Sequence, residues 1–196
     1  KKNPKSLLPN ALTIFGVCLG LSSIKFAIDL NYPMAVIAIA FAAILDTLDG
    51  RVARLVKGTS KVGKELDSLT DVISFGVAPG FIMYFWTLNE IGKFGWMFVL
   101  IYAVCCALRL ARFNLTTIEE NETWKINFFE GVPSPAAAGL VLLPLILNLS
   151  DLNQFENSAI ISSIAILITS ILMVSKIPTY SLKRILIPRH LTIFLL

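Results

Sequence analysis

The sequence predicts an all-α integral membrane protein with about six transmembrane helices and an active site near the cytoplasmic face, between the second and third helices. The first observation is composition, because 56% of the 196 residues are hydrophobic and only 15% are charged, far from the balance of a soluble domain. The second is a series of apolar runs, each near or above the ~20 residues that cross ~30 Å of hydrocarbon. The third is a group of four aspartates in or beside these runs.

The apolar runs place the expected helices along one continuous membrane domain, residues 1–196. We expect transmembrane helices at residues 7–28, 34–56, 67–88, 94–114, 132–149 and 157–176. The first run leads directly into further runs, so we expect it to be an anchor helix and not a cleaved signal peptide. The tail at residues 177–196 mixes basic and polar residues with the apolar "LTIFLL", and could lie in the interface or begin a further, truncated helix.

The distribution of Lys and Arg predicts the orientation of these helices. All of the basic residues except Lys25 and Lys93 lie at one end of the predicted helices or in the flanking segments. Positively charged loops stay on the cytoplasmic side. We therefore expect both termini and the active site on the cytoplasmic face of the cytoplasmic membrane, and no nucleic-acid partner.

Cysteine and histidine usage narrows the available chemistry. Cys18, Cys105 and Cys106 lie within apolar runs without paired spacing, and buried cysteine usually behaves as a small hydrophobic residue. The sole histidine, His190, lies in the basic tail. We expect neither a disulfide nor a zinc site, so metal binding or acid–base chemistry here must depend on carboxylates.

Two of the aspartates lie near the cytoplasmic end of the second predicted helix. Asp46 and Asp49 are three residues apart and therefore share a face. With about 100° of rotation per residue, Gly50 and Ala53 fall within about 40° of Asp46. This face is acidic and lined with small residues.

The third predicted helix carries a matching acidic stripe. Gly63, Asp67 and Asp71 recur every four residues and so lie on one face. The short connection around "VKGTSK" makes the two helices an antiparallel pair, which lets the two acidic faces meet.

Four neighbouring carboxylates at membrane depth need a cation between them, because ionisable groups there cost several kcal/mol unless paired or solvated. All-oxygen ligands suit hard divalent ions, Mg²⁺ or Mn²⁺, with Ca²⁺ as a possible occupant. Two such ions could clamp the oxygens of a transferred phosphoryl group, with Gly50, Ala53 and Gly63 leaving room for it. Flanking basic residues could add positive charge or only fix topology: Arg51, Arg54, Lys57, Lys61 and Lys64. A proton or cation pathway through the aspartates is the other alternative.

Written out, this stretch is D-x-x-D-G-x-x-A-R, eight residues, then G-x-x-x-D-x-x-x-D, and it resembles the signature of the CDP-alcohol phosphotransferase family. The matching positions are Asp46, Asp49, Gly50, Ala53, Arg54, Gly63, Asp67 and Asp71. The resemblance implies a six-helix membrane fold, usually dimeric, with two divalent cations held by the four aspartates. It also implies that a CDP-linked substrate enters from the cytoplasmic side and that CMP is displaced by the hydroxyl of a second alcohol.

The flanking segments extend the resemblance over roughly residues 7–140. The segment "LLPNALT" is similar to the family's entry segment, in which Asn10 and Thr13 could face the nucleotide; alternatively, Pro9 simply begins a helix with both residues near its polar end. The segments "SLTDVISFGVAPG", "RLARFN" and "FEGVPSPAAAG" resemble the phosphatidylserine synthase branch. The resemblance therefore implies L-serine as the acceptor.

Serine presents a carboxylate and an ammonium group that need partners. Arg109 and Arg112, three residues apart near the cytoplasmic end of the fourth predicted helix, could bind the carboxylate, or could instead meet lipid phosphates. Glu130, Asn114 or carbonyl groups around Pro133 could accept hydrogen bonds from the ammonium.

On this reading each aspartate has a role. Asp46 and Asp67 bridge both ions, Asp49 completes the shell of one and Asp71 that of the other. Asp71 also takes the serine proton as the hydroxyl attacks the β-phosphorus, while Arg54 stabilises the departing CMP. The lipid donor would be CDP-diacylglycerol or an ether-linked equivalent. Glycerol phosphate or inositol phosphate as acceptor, and a cation-conducting path, stay as rival hypotheses.

Overall fold

A computed structural model of the protein describes residues 7–55, 61–116, 128–150, 157–175 and 178–180. The described chain is almost entirely helical. Its α-helices are α1 (Leu7–Ile28), α2 (Tyr32–Leu55), α3 (Lys61–Asp71), α4 (Ala78–Trp86), α5 (Lys93–Thr116), α6 (Ser134–Leu149) and α7 (Ser158–Val174). Two short strands, β1 (Phe128–Glu130) and β2 (Pro178–Tyr180), pair antiparallel.

The helices have the lengths and apolar character of a membrane-embedded protein. Four helical segments are long and apolar enough to cross a membrane, and α6 and α7 are shorter apolar helices. The four are Asn10–Ile28, Tyr32–Val52, Val62–Trp86 and Lys93–Asn114. The predicted apolar runs form helices, so the all-helical prediction is confirmed; the helices are compatible with a membrane protein, and the count of six spans stays a prediction. The third run differs from the prediction because its helix begins earlier, at Lys61.

The outside of the bundle is apolar and its inside contains hydroxyl groups. Phe15 and Ile171 expose 57% and 68% of their surface, whereas Ser23 and Thr169 are buried and donate to backbone carbonyls of their own helices. Large apolar side chains at the surface are expected where the surroundings are lipid and not water.

The first two helices form a tight antiparallel hairpin. Asn31 caps α2, since its side-chain oxygen accepts a hydrogen bond from the backbone N–H of Met34, 3.3 Å away, as is usual at a helix N-terminus. Ala27 and Ala35 are fully buried beside this turn, and such small residues let helices approach closely. The hairpin brings the beginning of α1 beside the end of α2.

The third membrane segment is a composite helix. Between α3 and α4 the backbone winds as a π-helix, Val72–Val77, in which the N–H of Ala78 donates to the carbonyl of Ile73, five residues earlier. Pro79 has no N–H to give to the preceding turn. The hydroxyl of Tyr102 on α5 instead donates to the carbonyl of Phe75, 2.7 Å away.

Glycines let this composite helix lie directly against α5. A Cβ atom at Gly76 would lie 3.0 Å from the Cys106 side chain, and one at Gly80 would lie 3.0 Å from Val99. The half of the composite helix that follows Asp71 is therefore held by α5.

The strands β1 and β2 are an addition to the all-helical fold that the sequence predicts. Phe128 lies opposite Tyr180 and Glu130 opposite Pro178, so the segment before α6 pairs with the segment after α7. Gly131 follows with a φ of 78°, where a Cβ atom would lie 2.7 Å from the Met173 carbonyl oxygen. Part of the tail predicted at residues 177–196 thus forms a strand, and residues 181–196 lie outside the described chain.

Candidate metal centre

Three of the four aspartates converge where α2 meets α3. Asp46 and Asp49 come from one face of α2 and Asp67 from α3. Each offers a carboxylate oxygen that lies within 4.8 Å of the oxygens offered by the other two. Asp49 is 4% exposed, and the other two are half-buried. The predicted meeting of the two acidic faces is therefore present in the structure.

Asp71, the last residue of α3, lies beside this group of three. Its side chain is within hydrogen-bonding reach of the Asp46 carboxyl group. Its Oδ1 atom is buried and has no hydrogen-bond partner among the described residues. Asp71 thus adjoins the cluster through Asp46, with one carboxylate oxygen left open.

The donor set fits hard divalent cations. Carboxylate oxygens are the ligands that Mg²⁺, Mn²⁺ and Ca²⁺ prefer, and no His or Cys belongs to the group. Among the side chains that the structure describes, a set that excludes Arg54, no ion pair joins any of the four aspartates to a Lys or Arg. A buried carboxylate oxygen without a partner is costly, so the open Oδ1 of Asp71 indicates that a cation or a hydrogen-bond donor completes the site at this place.

Helix α1 supplies a polar contact to the cluster. The hydroxyl of Thr13 donates a hydrogen bond to Oδ2 of Asp49, 2.7 Å away, and Thr13 is 6% exposed. Asn10, three residues earlier on α1, is half-buried. Thr13, which the sequence suggests could face the nucleotide, thus directs its hydroxyl to a carboxylate of the cluster, and the nucleotide contact stays a prediction.

A small, partly open pocket lies beside Asp46 and Asp49. Its walls come from α1, α2, α3 and the π-helical segment. The lining residues are Thr13, Gly16, Ala42, Asp46, Asp49, Thr70, Ser74 and Phe75. Ser74 is 1% exposed and its hydroxyl has no partner in the described part of the chain, so the pocket has a polar wall of its own.

The remaining motif residues are only partly described. Gly50 is exposed, and a Cβ atom there would meet nothing within 4 Å, so the space beside Asp49 is open as expected for a bulky ligand. Gly63 lies on α3, one turn before Asp67. The side chains of Ala53, Arg54 and Glu130 lie outside the described part of the structure, although their backbones belong to α2 and β1.

The predicted serine-binding residues separate into different surroundings. Arg109 is half-buried, near enough to Asp71 for their charges to interact, and its Nη1 donates to the Ser134 hydroxyl, 2.7 Å away. Arg112 instead donates from Nη1 to the carbonyl of Val174 at the end of α7, 3.0 Å away. The structure therefore brings Arg109 to the cluster and engages Arg112 at a helix end.

Asn114, the other predicted serine contact on α5, reaches α3. Its Nδ2 donates to the Ser68 hydroxyl, 2.9 Å away, one residue from Asp67. This contact ties the end of α5 to the acidic stripe.

Sequence reasoning missed several residues around the cluster. Thr70 and Ser74 continue the stripe of Asp67 at helical spacing, three and seven residues further on, and that spacing could have identified them. Ser134 and Tyr102 have no such signal, because their contacts join segments far apart in the chain.

A family model and several known proteins match this chain over the residues that form the aspartate cluster. The family model described as CDP-alcohol phosphatidyltransferase matches residues 6–178. The chain is 40% identical to the CDP-diacylglycerol–serine O-phosphatidyltransferase of Mycobacterium leprae over 185 residues, or 94% of this chain and 61% of the relative. The protein of the same name from Helicobacter pylori 26695 is 40% identical over 93% of this chain and 76% of its own length.

A shorter relative from Bacillus subtilis 168, also called CDP-diacylglycerol–serine O-phosphatidyltransferase, is 35% identical over 87% of this chain and 88% of its own length. The chain spans about three-fifths of the length of the mycobacterial relatives. The family model covers the converging aspartates and most of the helices, and so the chain belongs to the CDP-alcohol phosphatidyltransferase family.

Proposed function

We propose that this protein transfers a phosphatidyl group from a CDP-linked lipid, CDP-diacylglycerol or an ether-linked equivalent, to the hydroxyl of L-serine. CMP leaves and a phosphatidylserine-type lipid forms. The observation that carries the proposal is the convergence of Asp46, Asp49 and Asp67 within 4.8 Å in a member of this family. The names of the relatives support serine as the acceptor.

The four aspartates would hold two divalent cations, Mg²⁺ or Mn²⁺, which when bound supply positive charge to the diphosphate. Asp46 and Asp67 would serve both ions, with Asp49 and Asp71 each completing one shell. The Thr13 hydroxyl holds one carboxylate oxygen of Asp49 in place. The protein thereby keeps the carboxylates oriented before substrate arrives, which lowers the cost of ordering them.

The reaction forms one P–O bond and breaks another. The serine oxygen attacks the β-phosphorus, which carries the lipid, and the bond from this phosphorus to the CMP oxygen breaks. Asp71 accepts the serine proton, a role suited to its open and buried Oδ1. Arg109 lies near Asp71 and is the cation that we assign to the serine carboxylate, while Arg54 is assigned to the departing CMP.

The remaining site residues belong to the same proposal. We assign Gly50, Ala53, Gly63, Asn10 and Thr13 to the nucleotide, and Arg112, Asn114 and Glu130 to the outer part of the serine site. The basic residues around α2 and α3 support a cytoplasmic active site with both termini on that side. We expect a homodimer in the membrane, as the family resemblance implies.

The experiment measures CMP release and lipid product with purified protein, CDP-diacylglycerol, Mg²⁺ or Mn²⁺, and labelled serine. We expect label in the lipid fraction and CMP only when lipid and serine are both present. EDTA should abolish both signals and added Mg²⁺ or Mn²⁺ should restore them. Full turnover in chelator would refute the metal assignment.

Two controls separate this function from its rivals. Glycerol phosphate and inositol phosphate, offered in place of serine, should give no product; a preference for either would refute serine as the acceptor. Sealed vesicles containing the protein should not take up Mn²⁺, whereas uptake without CMP release would indicate a transporter. Asp29→Asn is a matched substitution, because Asp29 is exposed at the far end of α1 and pairs with Lys25.

A further inference from the structure

The π-helical segment Val72–Val77 joins two half-helices that have different neighbours. Before it, α3 directs Asp67 and Asp71 toward the aspartates of α2. After its start, Gly76 and Gly80 lie against Cys106 and Val99 of α5. The composite helix therefore directs its acidic face, with Asp67 and Asp71, toward α2, and its glycine face, with Gly76 and Gly80, toward α5.

A π-helical turn changes the angle between two such faces. Each residue of an α-helix advances by about 100°, and a π-turn accommodates one extra residue. If the segment rewound as α-helix, the acidic face would rotate by about 100° relative to the glycine face. With the glycines fixed against α5, the carboxyl group of Asp71 would no longer lie beside Asp46.

Two features meet at the carbonyl of Phe75. Pro79, four residues later, has no N–H and therefore leaves this carbonyl free for another donor. The Tyr102 hydroxyl donates to the Phe75 carbonyl at 2.7 Å. Tyr102 is fully buried and Phe75 is 1% exposed, so water does not replace this bond.

We propose that Tyr102 is a positioning residue for the reaction: its hydroxyl holds the π-helical segment in the winding that keeps Asp71 beside Asp46. The proposal rests on the proposed function, since it assumes that Asp71 and Asp46 act on the same substrate. Tyr102 itself touches neither aspartate in this assignment and acts through the backbone of Phe75.

The chain contains a matched control. Tyr32 is also a tyrosine whose hydroxyl donates to a backbone carbonyl of the same composite helix, that of Phe85 in α4, 2.9 Å away. Phe85 lies beyond the π-helical segment, remote from Asp71. Tyr102→Phe and Tyr32→Phe therefore each remove one hydroxyl donor to one helix carbonyl, and only the first removes it from the π-turn.

The test compares kcat for serine-dependent CMP release and Mn²⁺ affinity, measured by electron paramagnetic resonance of free Mn²⁺, in the full-length protein. We expect Tyr102→Phe to lower kcat and weaken Mn²⁺ binding by about tenfold or more, the size expected when a buried carbonyl loses its donor. Tyr32→Phe should stay within about twofold of wild type in kcat and in Mn²⁺ affinity. Its melting temperature should fall about as much as that of Tyr102→Phe, because each variant loses one hydrogen bond. Equal behaviour of the two variants would overturn the proposal.

Pro79→Ala keeps the proposal testable if Tyr102→Phe does not fold. The new N–H can compete with the Tyr102 hydroxyl for the Phe75 carbonyl, which is its α-helical partner four residues earlier, so the melting temperature should be kept while kcat and Mn²⁺ affinity fall about tenfold. A fully active Pro79→Ala would contradict the role of the π-turn.

A double-substitution cycle gives the last measure. In the Asp71→Asn background, Tyr102→Phe should change kcat by less than about twofold, because the effects of residues that act through one another are not additive. A fully additive loss contradicts the proposal.

Wild-type protein that binds Mn²⁺ but releases no CMP with serine would refute the proposed function alone, and the Mn²⁺ comparison would still test Tyr102. Wild-type protein that does not bind Mn²⁺ would refute both.

Discussion

At the scale of single residues, Asp71 differs from the other three aspartates of the cluster. It lies outside the group whose oxygens approach within 4.8 Å, and it keeps a buried oxygen without a partner among the described residues. Asp49, by contrast, accepts a hydrogen bond from Thr13. An oxygen already engaged is a poorer proton acceptor than an open one, so we expect Asp71, at the end of the motif, to act as the base and Asp49 to act as a ligand.

Substituting the two ends should therefore give different defects. Asp46→Asn should weaken Mn²⁺ and CDP binding as well as turnover, because Asp46 lies near Asp49 and Asp67 and is also within hydrogen-bonding reach of Asp71. Asp71→Asn should lower turnover far more than CDP affinity, by about 10²–10⁴ if it is the general base. The measurements are CDP affinity and serine-dependent CMP release at saturating Mg²⁺.

The outcome for Asp71→Asn decides the assignment of the base. A variant that keeps more than about a tenth of the wild-type rate falls below the loss typical of general-base removal. The proton acceptor would then have to be sought elsewhere, with Glu65, exposed on α3, as the next candidate. Asp29→Asn, away from the cluster, should leave both measurements unchanged.

At the scale of helices, the sequence predicts which residues share a helix face better than it predicts whether the backbone winds as an α-helix or a π-helix. Asp46, Asp49, Asp67 and Asp71 follow α-helical spacing, so their meeting could be derived from periodicity alone. The π-helical segment could not, because it is stabilised by a hydroxyl of α5 at Tyr102 and no local pattern records that contact. The bond from Thr13 to Asp49 was missed for the same reason, since it joins residues on different helices.

The open space at Gly50 can be tested by filling it with a larger side chain, with a second helix glycine as the control. Gly50→Leu should leave the fold intact, because a Cβ atom there meets nothing within 4 Å and leucine favours helix more than glycine does. It should weaken CDP binding by about tenfold or more, the cost of forcing extra methylene groups against a bound ligand. CDP affinity and melting temperature are the two measurements.

Gly139 on α6 supplies the control for this substitution. A Cβ atom at Gly139 likewise meets nothing within 4 Å, and Gly139 is not among the residues that line the pocket. Gly139→Leu should bind CDP as wild type does. Unchanged CDP affinity in Gly50→Leu would place the nucleotide on another face of α2.

At the scale of the whole molecule, the helices could be read from hydropathy because lipid requires long apolar segments with internally satisfied backbones. The ribbon of β1 and β2 could not, because three-residue strands that pair across α6 and α7 leave no periodic signal. Arg109 and Arg112 show the same limit. Their spacing predicts that both could bind the serine carboxylate or meet lipid phosphates, and it does not record the tertiary contacts that direct Arg109 to Ser134 and Arg112 to the end of α7.

The orientation in the membrane is a testable property of the whole chain. In protein whose native cysteines are replaced by alanine, Leu55→Cys should react with an impermeant maleimide only after cells are opened. Glu90→Cys, at the other end of the composite helix, should react in intact cells, since the positive charges lie at the Leu55 end. Leu55 is 82% exposed and Glu90 is also exposed. The reverse labelling pattern would contradict a cytoplasmic active site.

The close approach of α1 to the π-helical segment has a consequence for the lipid substrate. Gly16 lines the pocket, but one turn further in, a Cβ atom at Gly20 would lie 2.5 Å from the Ser74 hydroxyl, so the pocket is closed toward the middle of the bundle. If the proposed lipid donor places its diphosphate at the aspartates, this contact blocks its acyl chains from running inward along α1. We then expect the chains to leave sideways into the bilayer, and donors with short or long acyl chains to be used equally well.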